Sequence, residues 1–145
     1  TISTNALLER KGIEPILVIT KGFKDLLLIR DQKREDLFSL DIKKIKPLYK
    51  EVIEVDERVL PKDNNFLVLK KPQEMFINDN VAVVFMHSYG FNKHEHKIKA
   101  KSITRSSEFA IVNALKRAES ALVDAYLTPV VKDYIKKIIK HLDKE

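Results

Sequence analysis

Hydrophobic and polar positions follow three rhythms along this chain. Pro15-Ile16-Leu17-Val18-Ile19-Thr20 is an unbroken apolar run rich in β-branched residues, the pattern of a strand buried on both faces. Glu51 to Val59 alternates instead. Ile53 and Val55 fall on one side with Glu54 and Asp56 on the other, which predicts a half-exposed strand. Phe66 to Leu69 predicts a second strand of that kind, and Val81 to Met86 a third, more buried one. Residues 4–10 carry a helical pattern with Gly12 placed as its C′ stop. Gly22 punctuates the first strand, and Phe23 to Leu28 predicts a short helix or turn. Helix, buried strand, helix in this order predicts an α/β fold: a mostly parallel sheet with flanking helices.

The last third switches to a helical period. Ile111, Leu115, Leu122 and Tyr126 recur on one stripe, with Lys116, Arg117 and Glu119 off it. Thr128 reads as an N-cap and Pro129 as a first helical position, so the pattern predicts one helix ending there and another starting. The second member of this C-terminal helical pair has a clean apolar face of Val130, Val131, Tyr134, Ile135, Ile138, Ile139 and Leu142. Lys132, Asp133, Lys136, Lys137 and Lys140 lie opposite. Packing is the default role of such a face, and a partner helix or further domain is the next. Pro61 to Asn65 reads as the best loop. The whole reads as one domain, with an α/β part over residues 1–91 and a mainly helical part over 92–145.

Composition narrows the function classes. A length of 145 residues with 44% hydrophobic content suits one domain with a real core. The longest apolar runs are strand-sized, so no membrane span is predicted. With no Cys, a disulfide framework, thiol catalysis and zinc-finger ligation are excluded together, and a cytoplasmic setting fits. The 27 basic residues outnumber 21 acidic ones, giving a net charge of +6. Lys93, Lys97, Lys99, Lys101 and Arg105 are not interleaved with aromatic residues, so a solvated basic face ranks ahead of nucleic-acid binding. The chain opens on Thr-Ile-Ser-Thr, a run that normally leads into a helix from an earlier strand.

Several short strings carry a resemblance. Thr4-Asn5-Ala6-Leu7-Leu8-Glu9-Arg10-Lys11-Gly12 and Thr20-Lys21-Gly22-Phe23-Lys24-Asp25-Leu26-Leu27 resemble the N-terminal region of the hydantoinase A/5-oxoprolinase family. Asp36-Leu37-Phe38, Pro47-Leu48-Tyr49, Glu54-Val55-Asp56-Glu57-Arg58-Val59, Met86-His87-Ser88-Tyr89, His94-Glu95 and Asp124-Ala125-Tyr126-Leu127-Thr128-Pro129 follow in the family's order, closest to its 5-oxoprolinase branch. The resemblance implies part of an actin/sugar-kinase-like ATPase domain that uses ATP with Mg2+. It implies an intact enzyme of glutathione metabolism that opens 5-oxo-L-proline to glutamate at the expense of ATP. Its partners would be the remainder of the same polypeptide or a hydantoinase B-like half, with a homodimer as a further option.

In that family an acidic, Gly-rich phosphate loop lies just upstream of where this chain begins. The three glycines present, Gly12, Gly22 and Gly90, are isolated from one another and make no such loop. A fragment inactive by itself is therefore expected. The alternative is a non-catalytic homologue that binds partners through its basic helical end. Two connections also look short against the family, between Lys70 and Val81 and between Glu95 and Ser106.

Candidate ligand residues follow. Thr4 and Asn5 stand where the upstream loop would enter a helix; they can bind an anion there or simply cap the helix. Gln32 and Arg34 match the family's Ile-Gly-x-Gln-x-Arg pattern, in which Arg can grip a carboxylate or phosphate, although Arg30 replaces the pattern's Gly. His87 follows a predicted strand, where an imidazole can serve as acid–base group or hydrogen-bond donor, or as a structural His paired with backbone or Tyr89. His94-Glu95-His96 reads as exposed and lacks a further metal ligand nearby, so no metal site is predicted.

Overall fold

The computed structural model of the chain describes residues 5, 9, 11–29 and 48–143. Its centre is the predicted apolar run. β1 (Ile16–Thr20) is buried along its whole length, flanked by β2 (Glu51–Val55) on one side and β5 (Met75–Val84) on the other. The edge beyond β5 is β6 (Ile98–Arg105), and all three pairings are parallel. Register places Leu17 beside Ala82 and Val18 beside Val83, so side chains alternate strictly between the two faces. The two segments that lacked family-length connections thus still build a parallel pair. β5 starts at Met75, well before the predicted strand, and β6 is a strand the sequence reading did not anticipate.

β3 (Arg58–Lys62) and β4 (Asn65–Lys70) form a separate antiparallel hairpin. The predicted loop at 61–65 is its tight turn: Asp63 and Asn64 both take positive φ, at 47° and 61°. That geometry matches the right-handed twist of the strands, and Asp and Asn tolerate it better than other non-glycine residues. α1 (Leu26–Ile29) is a single turn after β1.

One continuous helix, α2 (Ala114–Asp143), occupies the C-terminus. The helical pair expected there is not formed, because the structure absorbs the break at Pro129. Proline has no N–H to give the carbonyl of Ala125, four residues back. Asn80 supplies the missing donor, its Nδ2 lying 2.7 Å from Ala125 O. Thr128 Oγ1 donates to Asp124 O at 2.6 Å in the same turn. Asn113 begins the helix, its Oδ1 accepting the Lys116 N–H at 3.0 Å.

The first half of α2 lies on the sheet. Ala118, Ala121, Leu122 and Ala125 pack with Leu17, Ile19, Ala82 and Val84, and small side chains let the helix approach closely. Ile16, Val18, Val81, Val83, Phe85 and Ile98 form a second apolar cluster on the opposite face. Gly12 is not in a left-handed conformation, contrary to its expected role as a helix stop; a Cβ there would sit 2.2 Å from the Tyr126 ring. Close approach, not φ, demands glycine at this point.

Candidate functional site

In a parallel sheet, ligands gather at the carboxyl ends of the strands. That edge here is built from Thr20 at the end of β1, Glu57 just after β2, residues 85–89 after β5 and Ser106 after β6. Beyond Val84 the Phe85 peptide is held by two buried ionic side chains. Its N–H donates to Glu95 Oε1 at 3.1 Å, and its carbonyl accepts from Arg117 Nη2 at 3.0 Å. Both groups also meet at Ser106, whose hydroxyl donates to Glu95 and receives Arg117 Nε at 3.4 Å. Ser107 N–H adds a 2.8 Å bond to Glu95 Oε2, and Arg117 Nη1 donates to the carbonyls of Ile111 and Val112.

Arg117 and Glu95 are both fully buried. Each uses its charge-bearing atoms on several partners, the condition under which a buried ion is tolerated. Burial pushes the guanidinium below its usual value, with Glu95 and Tyr89 opposing that shift. The Arg117 guanidinium also lies 5.6 Å from the Tyr89 ring centroid, within cation–π range.

A second buried set joins the hairpin side to the same edge. Thr20 Oγ1 donates to Glu57 Oε1 and accepts the Met86 N–H at 3.0 Å, while His94 Nδ1 lies 2.7 Å from Glu57 Oε2. The 94–96 stretch is therefore not exposed as expected: His94 and Glu95 are buried, and only His96 faces outward. Their burial follows from these bonds. The β4 side chain Phe66 packs edge-on to Tyr89 and tilted to Phe91, whose ring meets His94. Hairpin and 85–97 strap thus form one layer over the sheet's end.

His87 sits within this layer with φ of 64°. A left-handed non-glycine residue at a strand end is held there by its surroundings, here the clamped Phe85 peptide and the buried Ser88 hydroxyl, 3.0 Å from that of Ser106. The imidazole is half-buried, with Nδ1 3.5 Å from Tyr89 Oη. Burial, and after it the Arg117 charge, pushes its pKa below the usual value, against a smaller pull from Glu57. A neutral imidazole at pH 7 can accept a proton or donate one N–H, depending on tautomer.

Of the predicted site residues, His87 stands at this edge. Asn5 is exposed in a helical turn, its carbonyl accepting the Glu9 N–H at 2.9 Å. Thr4, Gln32 and Arg34 lie outside the described residues. Thr20, Glu57, Ser106 and Arg117 were not singled out as site residues by sequence, and Glu95 was weighed there only as a metal ligand. The available signal was the alanine face Ala118, Ala121 and Ala125, which carries Arg117 alongside it at helical spacing.

The described residues do not by themselves fit a nucleotide–Mg2+ site. Among the described residues no group of carboxylates and histidines could hold a metal ion, and Glu57 and Glu95 are consumed by internal bonds. Gly22 is the glycine with positive φ, at 94°, and Glu54 Oε2 occupies its N–H at 2.6 Å.

Residues 1–108 match the family model described as the hydantoinase/oxoprolinase N-terminal region. The chain belongs to the hydantoinase/oxoprolinase family. Its relatives include the 5-oxoprolinase of Saccharomyces cerevisiae, 36% identical over 181 residues, and 5-oxoprolinase 1 of Arabidopsis thaliana, 39% identical over 180. These alignments cover 95% and 100% of this chain but 14% of each relative. They are longer than the 145-residue chain, so the relatives carry insertions that it lacks. The fold is shared with the ATP-dependent caprolactamase of Pseudomonas jessenii, at a TM-score of 0.73 and 22% identity. Acetone carboxylase in its nucleotide-free form gives 0.70 and 16%. Each similarity covers 99% of this chain, and 24% and 25% of those chains. Among the described residues, no helix is long and apolar enough to cross a membrane.

Proposed function

We propose that this chain is the part of a 5-oxoprolinase-type enzyme that shapes the site for a small lactam, 5-oxoproline. In this reading it belongs to an actin/sugar-kinase-like ATPase domain. ATP, with a divalent cation, is bound by parts of the longer polypeptide beyond the residues described here, and a hydantoinase B-like half completes ring opening in the cytoplasm. Amides resist hydrolysis, so coupling ring opening to ATP is chemically reasonable. The chain's own contribution is the sheet's carboxyl edge.

The observation that carries this reading is His87, held in a left-handed backbone beside a peptide clamped by Glu95 and Arg117. A preorganised neutral imidazole there can hydrogen-bond the lactam oxygen or accept a proton from water, roles that contribute roughly 10²–10⁴-fold to rate. Thr4, Asn5, Gln32 and Arg34 remain proposed contacts. The identity to 5-oxoprolinases across the chain supports the substrate class.

The test is a chimera in which this chain replaces the matching region of the yeast 5-oxoprolinase. The expected result is 5-oxoproline-dependent ATP hydrolysis with glutamate release, and none from the isolated chain. A chimera with native circular dichroism that releases no glutamate overturns the assignment.

A further inference from the structure

Arg58 opens β3 at the carboxyl edge, next to Glu57 in the chain. Its guanidinium carbon lies over the Phe23 ring, 5.2 Å from the centroid and within cation–π range. The ring beneath it is fixed. Phe23 N–H donates to Thr20 O at 3.1 Å, and the side chain packs against the core cluster that includes Leu17 and Ile19. Lys21 N–H, bonded to Val55 O at 2.9 Å, ties the same turn to the end of β2. Yet the guanidinium makes no hydrogen bond or ion pair among the described residues. The acids that precede it are committed elsewhere. Glu54 Oε2 accepts the Gly22 N–H at 2.6 Å, Asp56 pairs with Lys70, and Glu57 holds Thr20 and His94. Arg58 is thus held on a ring with its N–H donors unspent.

A short series of contacts leads from Arg58 to His87. Glu57 receives the Thr20 hydroxyl, Thr20 Oγ1 accepts the Met86 N–H, and Met86 precedes His87. Behind burial and the Arg117 charge, and against the Glu57 pull, the Arg58 charge also acts on the imidazole, so the two groups lie within electrostatic reach.

We propose that Arg58 binds the carboxylate of the substrate while His87 serves its lactam group. This rests on the lactam reading and adds a specificity residue to it. In 5-oxoproline the lactam carbonyl and the carboxylate-bearing carbon flank the ring nitrogen, so one small ring presents both groups to one edge. Phe23 offers the guanidinium no acceptor oxygen. The planar N–H fork therefore stays open for a planar anion, which a carboxylate meets through two parallel bonds. A neutral lactam gains nothing from it.

The test is steady-state kinetics of the yeast chimera with and without Arg58→Gln. The KM for 5-oxoproline is expected to rise about 30-fold or more, as for loss of a hydrogen-bonded charge. Because this contact serves substrate and transition state alike, kcat should stay within about 3-fold. Arg58→Lys, which keeps the charge without the fork, should recover part of the KM. The inhibition constant of 2-pyrrolidinone, the same ring without the carboxylate, should move far less than the KM does. An active, folded Arg58→Gln chimera with unchanged KM overturns the proposal and leaves the lactam reading standing. So does an equal weakening of 2-pyrrolidinone, which would give Arg58 a purely structural role on Phe23. A folded parent chimera without 5-oxoproline turnover overturns the lactam reading and this proposal with it.

Discussion

The two halves of α2 invert what their sequences suggest. The distal half shows a clean apolar face opposed by lysines, yet Tyr134, Ile135, Ile138, Ile139 and Leu142 are exposed. The proximal half has an arginine and alanines where a strong stripe would be expected, yet it is the part that is buried, Arg117 included. Binary pattern says which residues could be covered. It does not say what is there to cover them. Burial here is set by the sheet beneath residues 117–126 and by the bonds that let a charge go under with them.

The largest test of this contrast is Arg117→Met. It leaves Glu95 buried without its countercharge and four acceptors unserved, so unfolding stability should fall by about 3–5 kcal/mol in a urea titration. A loss under about 1 kcal/mol would show that the proximal half is held by packing alone.

Next in size is the join between sheet and helix at the proline. Asn80→Ala should cost about 1–3 kcal/mol by stranding the Ala125 carbonyl. In a Pro129→Ala background the helix can supply its own N–H, so the loss should shrink by about 1 kcal/mol in a double-mutant cycle. Strict additivity would mean that Asn80 does not compensate for Pro129.

In the distal half, Ile135→Ala and Ile139→Ala should each change monomer stability by no more than about 0.5 kcal/mol, measured at dilution. Losses of core size would place this stripe against something within the chain.

Smallest is the pH effect of His87. Its pKa in the fold lies below the usual 6.5, so the unfolded chain binds more protons in the interval between the two values. Stability is then complete above about pH 6.5 and falls as pH drops through that interval. An NMR titration should place the His87 midpoint below 6.5, and His87→Gln should flatten this acid limb slightly. A midpoint above 6.5 would mean that Glu57 outweighs burial and Arg117.

Much of the frame was legible before the structure. Ile16 to Ile19 announced a central parallel strand because only burial on both faces favours such a run. β6 was hidden because Lys99 and Lys101 mark it as an edge strand, where charge discourages pairing with other chains, and they resemble a solvated loop. Thr128-Pro129 misled for a different reason. Local chemistry favours a helix start there, and the override comes from Asn80, 49 positions upstream of the proline. Among the residues described at the candidate site, His87 is the one the sequence proposed as a ligand contact. Glu57, Glu95 and Arg117 look like surface charges until their partners from other strands are known.

The most direct test of the central claim is kcat for 5-oxoproline-dependent ATP hydrolysis in the yeast chimera, with and without His87→Ala. The account predicts a fall of about 100-fold or more with an unchanged thermal midpoint. Full activity in a folded His87→Ala chimera would contradict it.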